Sequence, residues 1–329
     1  MKKEEALAAF FLKNGIDPAR AADVNDINCD PAIAGLSDQV DLWLSGIDAK
    51  DHEIFLELLS RYTYLTRTQC RRRYQEILNM LGERLRAAGI TLDETLFITM
   101  EAGGASASGG ENVRADLKGY DLRRFEKKQL IAAQSKLEED DIRAYRAVVF
   151  LDDIVGSGKT MWKAIRSFCT RFYKPSSRKL LFLACILPRK RGMKHLLENC
   201  RDGGIAVEPL YKEEWLQDPA FEKNSALYHR LSPYEKVIGT YMMCMMRNGK
   251  TFFMGFEQNR LLASFYYNTP NNTLCTFWRA IPTNLPLFQR DGNQALSRPE
   301  IADLKARKKQ MQMQSYAFGC DRRKIEDDR

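Results

Sequence analysis

The sequence predicts an α/β fold: a mostly parallel sheet flanked by helices, preceded by a helical N-terminal region. Three observations predict it. Apolar residues recur at helical spacing through residues 1–89. From residue 90 onward, short runs of β-formers alternate with helical patterns, the signature of strand–helix–strand units. Two of those strands run directly into turns made almost wholly of small residues, at the end of the sheet where such folds receive ligands.

The elements follow in order. Glu4–Lys13 carries a short apolar stripe, and Leu36–Leu44 and Asp48–Tyr64 read as further helices, the last with Ile54, Leu58, Leu59 and Tyr62 on one face. Gln69–Ala88 repeats the pattern with Tyr74, Ile77, Leu78, Leu81 and Leu85, and Gly89 supplies its stop. Arg71, Arg72 and Arg73 on this helix form either a solvated face or a nucleic-acid contact. Leu96–Met100 is a buried-type strand, followed by the small-residue loop Glu101–Gly110. Arg114–Glu139 is strongly charged and reads mainly as solvated helix face. Ala147–Asp153 is a strand, Thr160–Phe172 a helix, Lys179–Leu187 a strand, Met193–Cys200 a helix and Ile205–Tyr211 a strand. Ser232–Met246 reads as a helix whose Met242–Met246 cluster packs in a core. Phe252–Phe256 and Leu261–Tyr267 are expected strands. The organisation expected is a helical region over 1–89, an α/β domain over 90–290 and a charged tail over 291–329.

Composition narrows the class. Hydrophobic residues make up 44% and charged residues 29%, as in a globular chain that remains in water. The most apolar run, Val237–Met246, is about half of what a membrane span needs, and Met1-Lys-Lys-Glu-Glu5 leads into no long apolar stretch, so a cytoplasmic protein without membrane contact is expected. The net charge of +8 suits anionic ligands and permits nucleic acid. Eight cysteines without a Cys-x-x-Cys pair, and three histidines none at ligand spacing, point to reduced thiols and no structural zinc.

The most informative segment is Ala147-Val-Val-Phe-Leu-Asp-Asp-Ile-Val-Gly-Ser-Gly-Lys-Thr160. Glycines let backbone N–H groups approach phosphate oxygens, and a helix N-terminus favours the anion. Asp152 and Asp153 would repel that phosphate and are better suited to hydroxyls or a divalent cation. Gly158-Lys-Thr160 also matches the end of a Walker A loop, but the glycine needed five residues before its Gly-Lys pair is Asp153, a carboxylate inside the anion cradle.

Four apolar residues, two acids, a short spacer and Ser-Gly-x-Thr closely resemble the 5-phosphoribosyl-1-pyrophosphate (PRPP) signature of type I phosphoribosyltransferases. The resemblance implies a Rossmann-like phosphoribosyltransferase sheet in which Asp152 and Asp153 hold the ribose hydroxyls. Gly156, Ser157, Gly158, Lys159 and Thr160 would wrap the 5′-phosphate. It also implies Mg²⁺ brought in on the substrate, which the two aspartates meet only indirectly. The earlier loop stands where that family places its pyrophosphate loop, which would give this role to Ala102, Gly103, Gly104, Ala105 and Ser106; a flexible linker is the other reading. A basic side chain among Lys118, Arg123, Arg124, Lys127 and Lys128 would close over pyrophosphate.

The long helical front and Asn268-Thr-Pro-Asn-Asn-Thr273 resemble a narrower group, the phosphoribosyltransferase-like effectors of bacterial retron and nucleotidyltransferase anti-phage cassettes. That resemblance implies a protein or nucleic-acid partner that restrains the effector. Asn268, Asn271, Asn272 and Trp278 are either turn and core or an acceptor site. Gly156 stands where some purine-salvage members carry an acid, which weakens a hypoxanthine-like acceptor. Two further readings stay open at this point: a non-catalytic sensor of PRPP or nucleotide, and a P-loop NTPase.

Overall fold

The computed structural model describes residues 1–100, 113, 117, 130–131, 138, 142–172, 179–243, 253–278, 286–288 and 290. The fold is α/β, with parallel sheets flanked by helices. The expected loop 101–110, nearly all of the charged segment 114–139 and the tail 291–329 lie outside the described residues, as do the side chains of Met242–Met246.

The N-terminal region begins with α1 (Lys3–Asn14), closed by Gly15 in the left-handed conformation at φ 57°. Two short helices, α2 (Pro18–Ala22) and α3 (Pro31–Ala34), start on aspartate caps with proline in the first turn. α4 (Leu36–Leu44) and α5 (His52–Ser60) follow. The expected helix Asp48–Tyr64 therefore stops at Ser60. Thr63–Leu65 is a strand, β1, because this aromatic, β-branched stretch pairs with distant residues and tertiary pairing outweighs local helical spacing. α6 (Arg67–Ala87) opens on a Thr66–Gln69 capping box and buries Cys70, Tyr74, Ile77, Leu81 and Leu85 along one face.

Among the described residues the main sheet has five strands, all parallel: β2 (Thr95–Thr99), β3 (Leu130–Ile131), β4 (Ala147–Val155), β5 (Leu180–Pro188) and β6 (Glu208–Leu210), in the order β3-β2-β4-β5-β6. Its central strands are buried on both faces, which is why they read as unbroken apolar runs. Alternate residues of β4 serve the two faces. Val149 and Leu151 pack with α6, whereas Val148 and Phe150 pack against α7 (Lys159–Phe172) through Met161, Ile165 and Phe168. α8 (Lys190–Asp202) adds Met193, Leu196 and Cys200 to the second face.

α9 (Ala226–Met243) starts six residues before the expected Ser232. The expected strand at Phe252–Phe256 is absent from its described part: Gly255 turns the chain at φ 78° and a 3₁₀ turn, Phe256–Gln258, follows. Of Leu261–Tyr267, only β7 (Ala263–Phe265) is strand, and it pairs in parallel with β1 instead of joining the main sheet. β1–β7 pairing stitches the late segment to the N-terminal helices, and both contribute to one core in which Trp43, Tyr62, Phe277 and Phe288 contact ring to ring. Arg73 is half-buried. Its guanidinium lies over the Trp215 ring and donates to the Ile186 carbonyl.

Among the described residues, no helix is long and apolar enough to cross a membrane. Cys29, Cys70, Cys169, Cys185, Cys200 and Cys275 are free thiols.

Candidate active site

The strand order reverses between β2 and β4: the chain leaves β2 toward β3 on one side, then returns to place β4 on the other. The carboxyl ends of two such strands flank the crevice where ligands of open parallel sheets bind. Thr99 of β2 pairs with Leu151 of β4, and the Met100 N–H donates to the Leu151 carbonyl. Met100 is thus held beside the end of β4, and Ala102–Ser106 lie outside the described residues.

β4 runs through both acids to Val155. The pleat sends Asp152 and Asp153 to opposite faces. Asp153 is buried and Asp152 half-buried, and the Asp153 N–H donates to Asp152 Oδ1 at 3.0 Å. Beneath them, Cys185 of β5 pairs with Asp152, and its thiol points at the Asp153 carbonyl. Burial lifts both carboxyls, Asp152 well above the ordinary range with Asp153's charge adding to the effect. Asp153 is raised to about 6 by burial, against hydrogen bonds from Tyr267 and Asp152 that hold it down. Two adjacent acids held this close titrate as a coupled pair, and burial favours their protonated forms.

The turn Gly156–Gly158 connects β4 to α7, and each glycine has a steric reason. A Cβ on Gly156 would stand 2.6 Å from the Asn272 side-chain amide. Gly158 sits at φ 78° and a Cβ there would meet the Gly192 carbonyl at 2.5 Å. Gly192, in the first turn of α8, has room for no Cβ because the Gly156 carbonyl would lie 2.2 Å away. Ser157 is half-buried, and Lys159 and Thr160 begin α7 exposed to solvent. Lys159 reaches across to Glu257, Nζ to Oε1 at 2.7 Å.

The family comparison can now be set beside this geometry. The PRTase-CE family model matches residues 40–290, well over half of the chain. The chain belongs to the PRTase-CE family. PRTase-CE is a phosphoribosyltransferase-like family, and the match runs from within the helical front, past β7, to residue 290. No curated protein matches the sequence.

In this PRTase-CE chain the late segment 255–272 lies directly on the turn. Asn272 sits against Gly156, Glu257 holds Lys159, and the Tyr267 hydroxyl donates to Asp153 Oδ2 at 3.3 Å. Asn271 accepts the Phe256 N–H through its backbone carbonyl, and Asn268 closes a turn with Phe265. Trp278 is buried in the aromatic core, with Nε1 donating to the Thr273 carbonyl. Tyr267, Glu257 and Gly192 were not singled out in the sequence. Tyr267 ended an apolar run, Glu257 looked like a surface acid and Gly192 was hidden in a helix pattern.

A local cost supports the view that the late segment is held in place for a purpose. Glu257, Gln258 and Arg260 all have left-handed backbone, at φ 54°, 55° and 52°. Each such residue costs about 1 kcal/mol or more and survives only where surrounding contacts fix it.

Proposed function

We propose that this phosphoribosyltransferase-like protein binds PRPP or a nucleotide at the β2–β4 crevice and acts at the ribose anomeric carbon. One observation carries the reading: two adjacent carboxylates, Asp153 buried and Asp152 half-buried, stand at the end of β4, immediately before a glycine turn that presents its backbone at the start of α7. Ribose 2′- and 3′-hydroxyls would give Asp152 and Asp153 the hydrogen bonds that the protein supplies only in part. The 5′-phosphate would lie on the amides of Gly156–Thr160 with the Ser157 and Thr160 hydroxyls, where the α7 dipole favours an anion.

In the reaction, the bond from the anomeric carbon to the pyrophosphate oxygen breaks, the electron pair leaving with pyrophosphate. The acceptor, or water, then forms the new bond at that carbon. Asp152 and Asp153 hold the sugar and place negative charge near a carbon that becomes cationic. The turn fixes the far end of the sugar, so that displacement proceeds in one orientation.

Among the described residues no group of three or more His, Cys, Asp or Glu side chains forms a cage for a metal ion. Mg²⁺ would instead be carried in on the pyrophosphate, with Asp152 and Asp153 meeting it only indirectly. When bound, Mg²⁺ would neutralise the leaving pyrophosphate. The pyrophosphate loop proposed is Ala102–Ser106, which would start beside Asp152.

The biological role proposed is that of an effector in a bacterial anti-phage defence system, kept silent by a protein or nucleic-acid partner. It is supported by the helical front and by the Asn268–Thr273 stretch, whose Asn272 packs on the phosphate turn. The test is metabolite profiling after induction of the full chain, comparing wild type with Asp152→Asn/Asp153→Asn. A change in PRPP or nucleotide levels confined to the wild type is expected. Identical profiles would sink the effector reading.

A further inference from the structure

Arg189 and Arg260 are buried to 1% and 5% exposure, and the Nε of each lacks a hydrogen-bond partner among the described residues. A guanidinium stays charged under all ordinary conditions, so burying one without a partner is costly. Here two lie together. Burial first, then the charges of Arg260 and Arg191, lowers Arg189 to about 10, and Asp218 only partly offsets them.

Their backbones show why they are neighbours. Arg189 forms a parallel bridge with Gln217, and the Arg260 carbonyl accepts from the Ala220 N–H at 2.9 Å, so both are fastened to one short segment. They also brace the glycine turn. The Arg189 N–H donates to the carbonyl of Val155, the last residue of β4, and Arg189 N-caps α8, whose Gly192 abuts the Gly156 carbonyl. Leu261, next to Arg260, donates to the carbonyl of Asn272, the residue lying on Gly156. Arg260 itself holds the left-handed backbone that ends the strained segment 255–260.

We propose that Arg189 and Arg260 form a second anion site, adjoining but separate from the glycine turn, that binds a phosphate group on the acceptor. Two guanidiniums match a dianionic phosphate in charge, and planar forks hold such oxygens in pairs. The existence of the site stands on the two arginines alone; calling its ligand the acceptor rests on the phosphoribosyl reading above. The acceptor class it implies is a phosphorylated molecule, with a nucleoside monophosphate as its simplest member.

The test is thermal melting and calorimetric titration of the full chain at constant ionic strength with AMP, adenosine and orthophosphate. The proteins are wild type, Ser157→Ala/Thr160→Ala, Arg189→Met and Arg260→Met. AMP should raise the melting temperature of wild type and of Ser157→Ala/Thr160→Ala, and of neither arginine variant, while adenosine does nothing. In phosphate-free buffer, Arg260→Met should melt no lower than wild type, because it removes one of two buried like charges. AMP binding at least about tenfold tighter than orthophosphate supports a nucleotide acceptor. Equal affinities would overturn that assignment and leave a site for free phosphate. A shift that survives in both arginine variants, or that disappears in Ser157→Ala/Thr160→Ala, overturns the site. If the arginine variants fail to fold, the Ser157→Ala/Thr160→Ala result decides. Loss of PRPP binding in Asp152→Asn/Asp153→Asn is scored separately, so this proposal can fail while the ribose site stands.

Discussion

The Tyr267 hydroxyl donates to Asp153 Oδ2 at 3.3 Å, joining a residue just past β7 to the second acid of β4. β7 and β4 belong to different sheets, so this contact couples the small β1–β7 pair to the floor of the crevice. It also favours the charged carboxylate, the form that accepts sugar hydroxyls.

Removing that hydroxyl should therefore weaken sugar binding through Asp153. For Tyr267→Phe we predict an Mg·PRPP affinity at pH 7 lower by about 3–10-fold, the worth of one long hydrogen bond of about 1 kcal/mol. The pH midpoint of binding should also move upward from that of the wild type. Affinity measured across pH 5–8 checks both; superimposable profiles would separate Tyr267 from the site.

Gly156 gives a steric prediction. Its φ is outside the left-handed region, so alanine is disfavoured only by the Asn272 amide 2.6 Å from the new methyl. Gly156→Ala should cost about 1–3 kcal/mol, and Asn272→Ala in the same chain should recover most of it. Gly158→Ala should admit no such rescue, since φ is 78° and the obstacle is the Gly192 backbone. Denaturant melts of the four Gly156/Asn272 proteins would expose an additive, uncoupled pair.

The acid pair makes ligand-free stability depend on pH. Asp153 binds its proton more tightly folded than unfolded, from an ordinary 3.8 to about 6. Stability should accordingly fall as pH rises from about 4 to about 6 and level off above. Asp153→Asn should flatten that slope and stabilise the ligand-free protein at pH 7 by about 1–3 kcal/mol, near the value of a two-unit shift. A wild type that gains stability over pH 4–6 relative to Asp153→Asn would contradict the burial argument.

Lys159 separates this site from a P-loop. Its ammonium pairs with Glu257 on the surface, a contact worth less than about 1 kcal/mol. Lys159→Ala should change the melting temperature little and leave no ATPase to lose. ATP turnover in the wild type that disappears in Lys159→Ala would revive the nucleotide-hydrolase reading.

Much of the central architecture was legible in the sequence because its determinants are local. β2, β4 and β5 are apolar runs buried on both faces, and α6 repeats a one-sided stripe that starts on a capping box. The acidic pair and its turn could be read for the same reason, as a contiguous segment with a rigid geometric task. Thr63–Leu65 could not, because its strand exists only through pairing with β7 about two hundred residues later. Tyr267 and Glu257 were hidden by the same distance, and nothing local distinguishes Arg189 from a surface arginine at a helix start. Phe252–Phe256 misled because its aromatic β-formers end at Gly255, whose φ of 78° and close approach to the Asn272 backbone require a turn.

The central claim is that Asp152 and Asp153 hold the ribose of PRPP while the following turn holds its phosphate. The most direct measurement is calorimetric titration of Mg·PRPP into the wild type and into Asp152→Asn/Asp153→Asn, with melting curves confirming that both are folded. The account predicts saturable binding by the wild type and at least about 100-fold weaker binding by the double variant, from loss of two charge-assisted hydrogen bonds. Equal affinity in two folded proteins would contradict it.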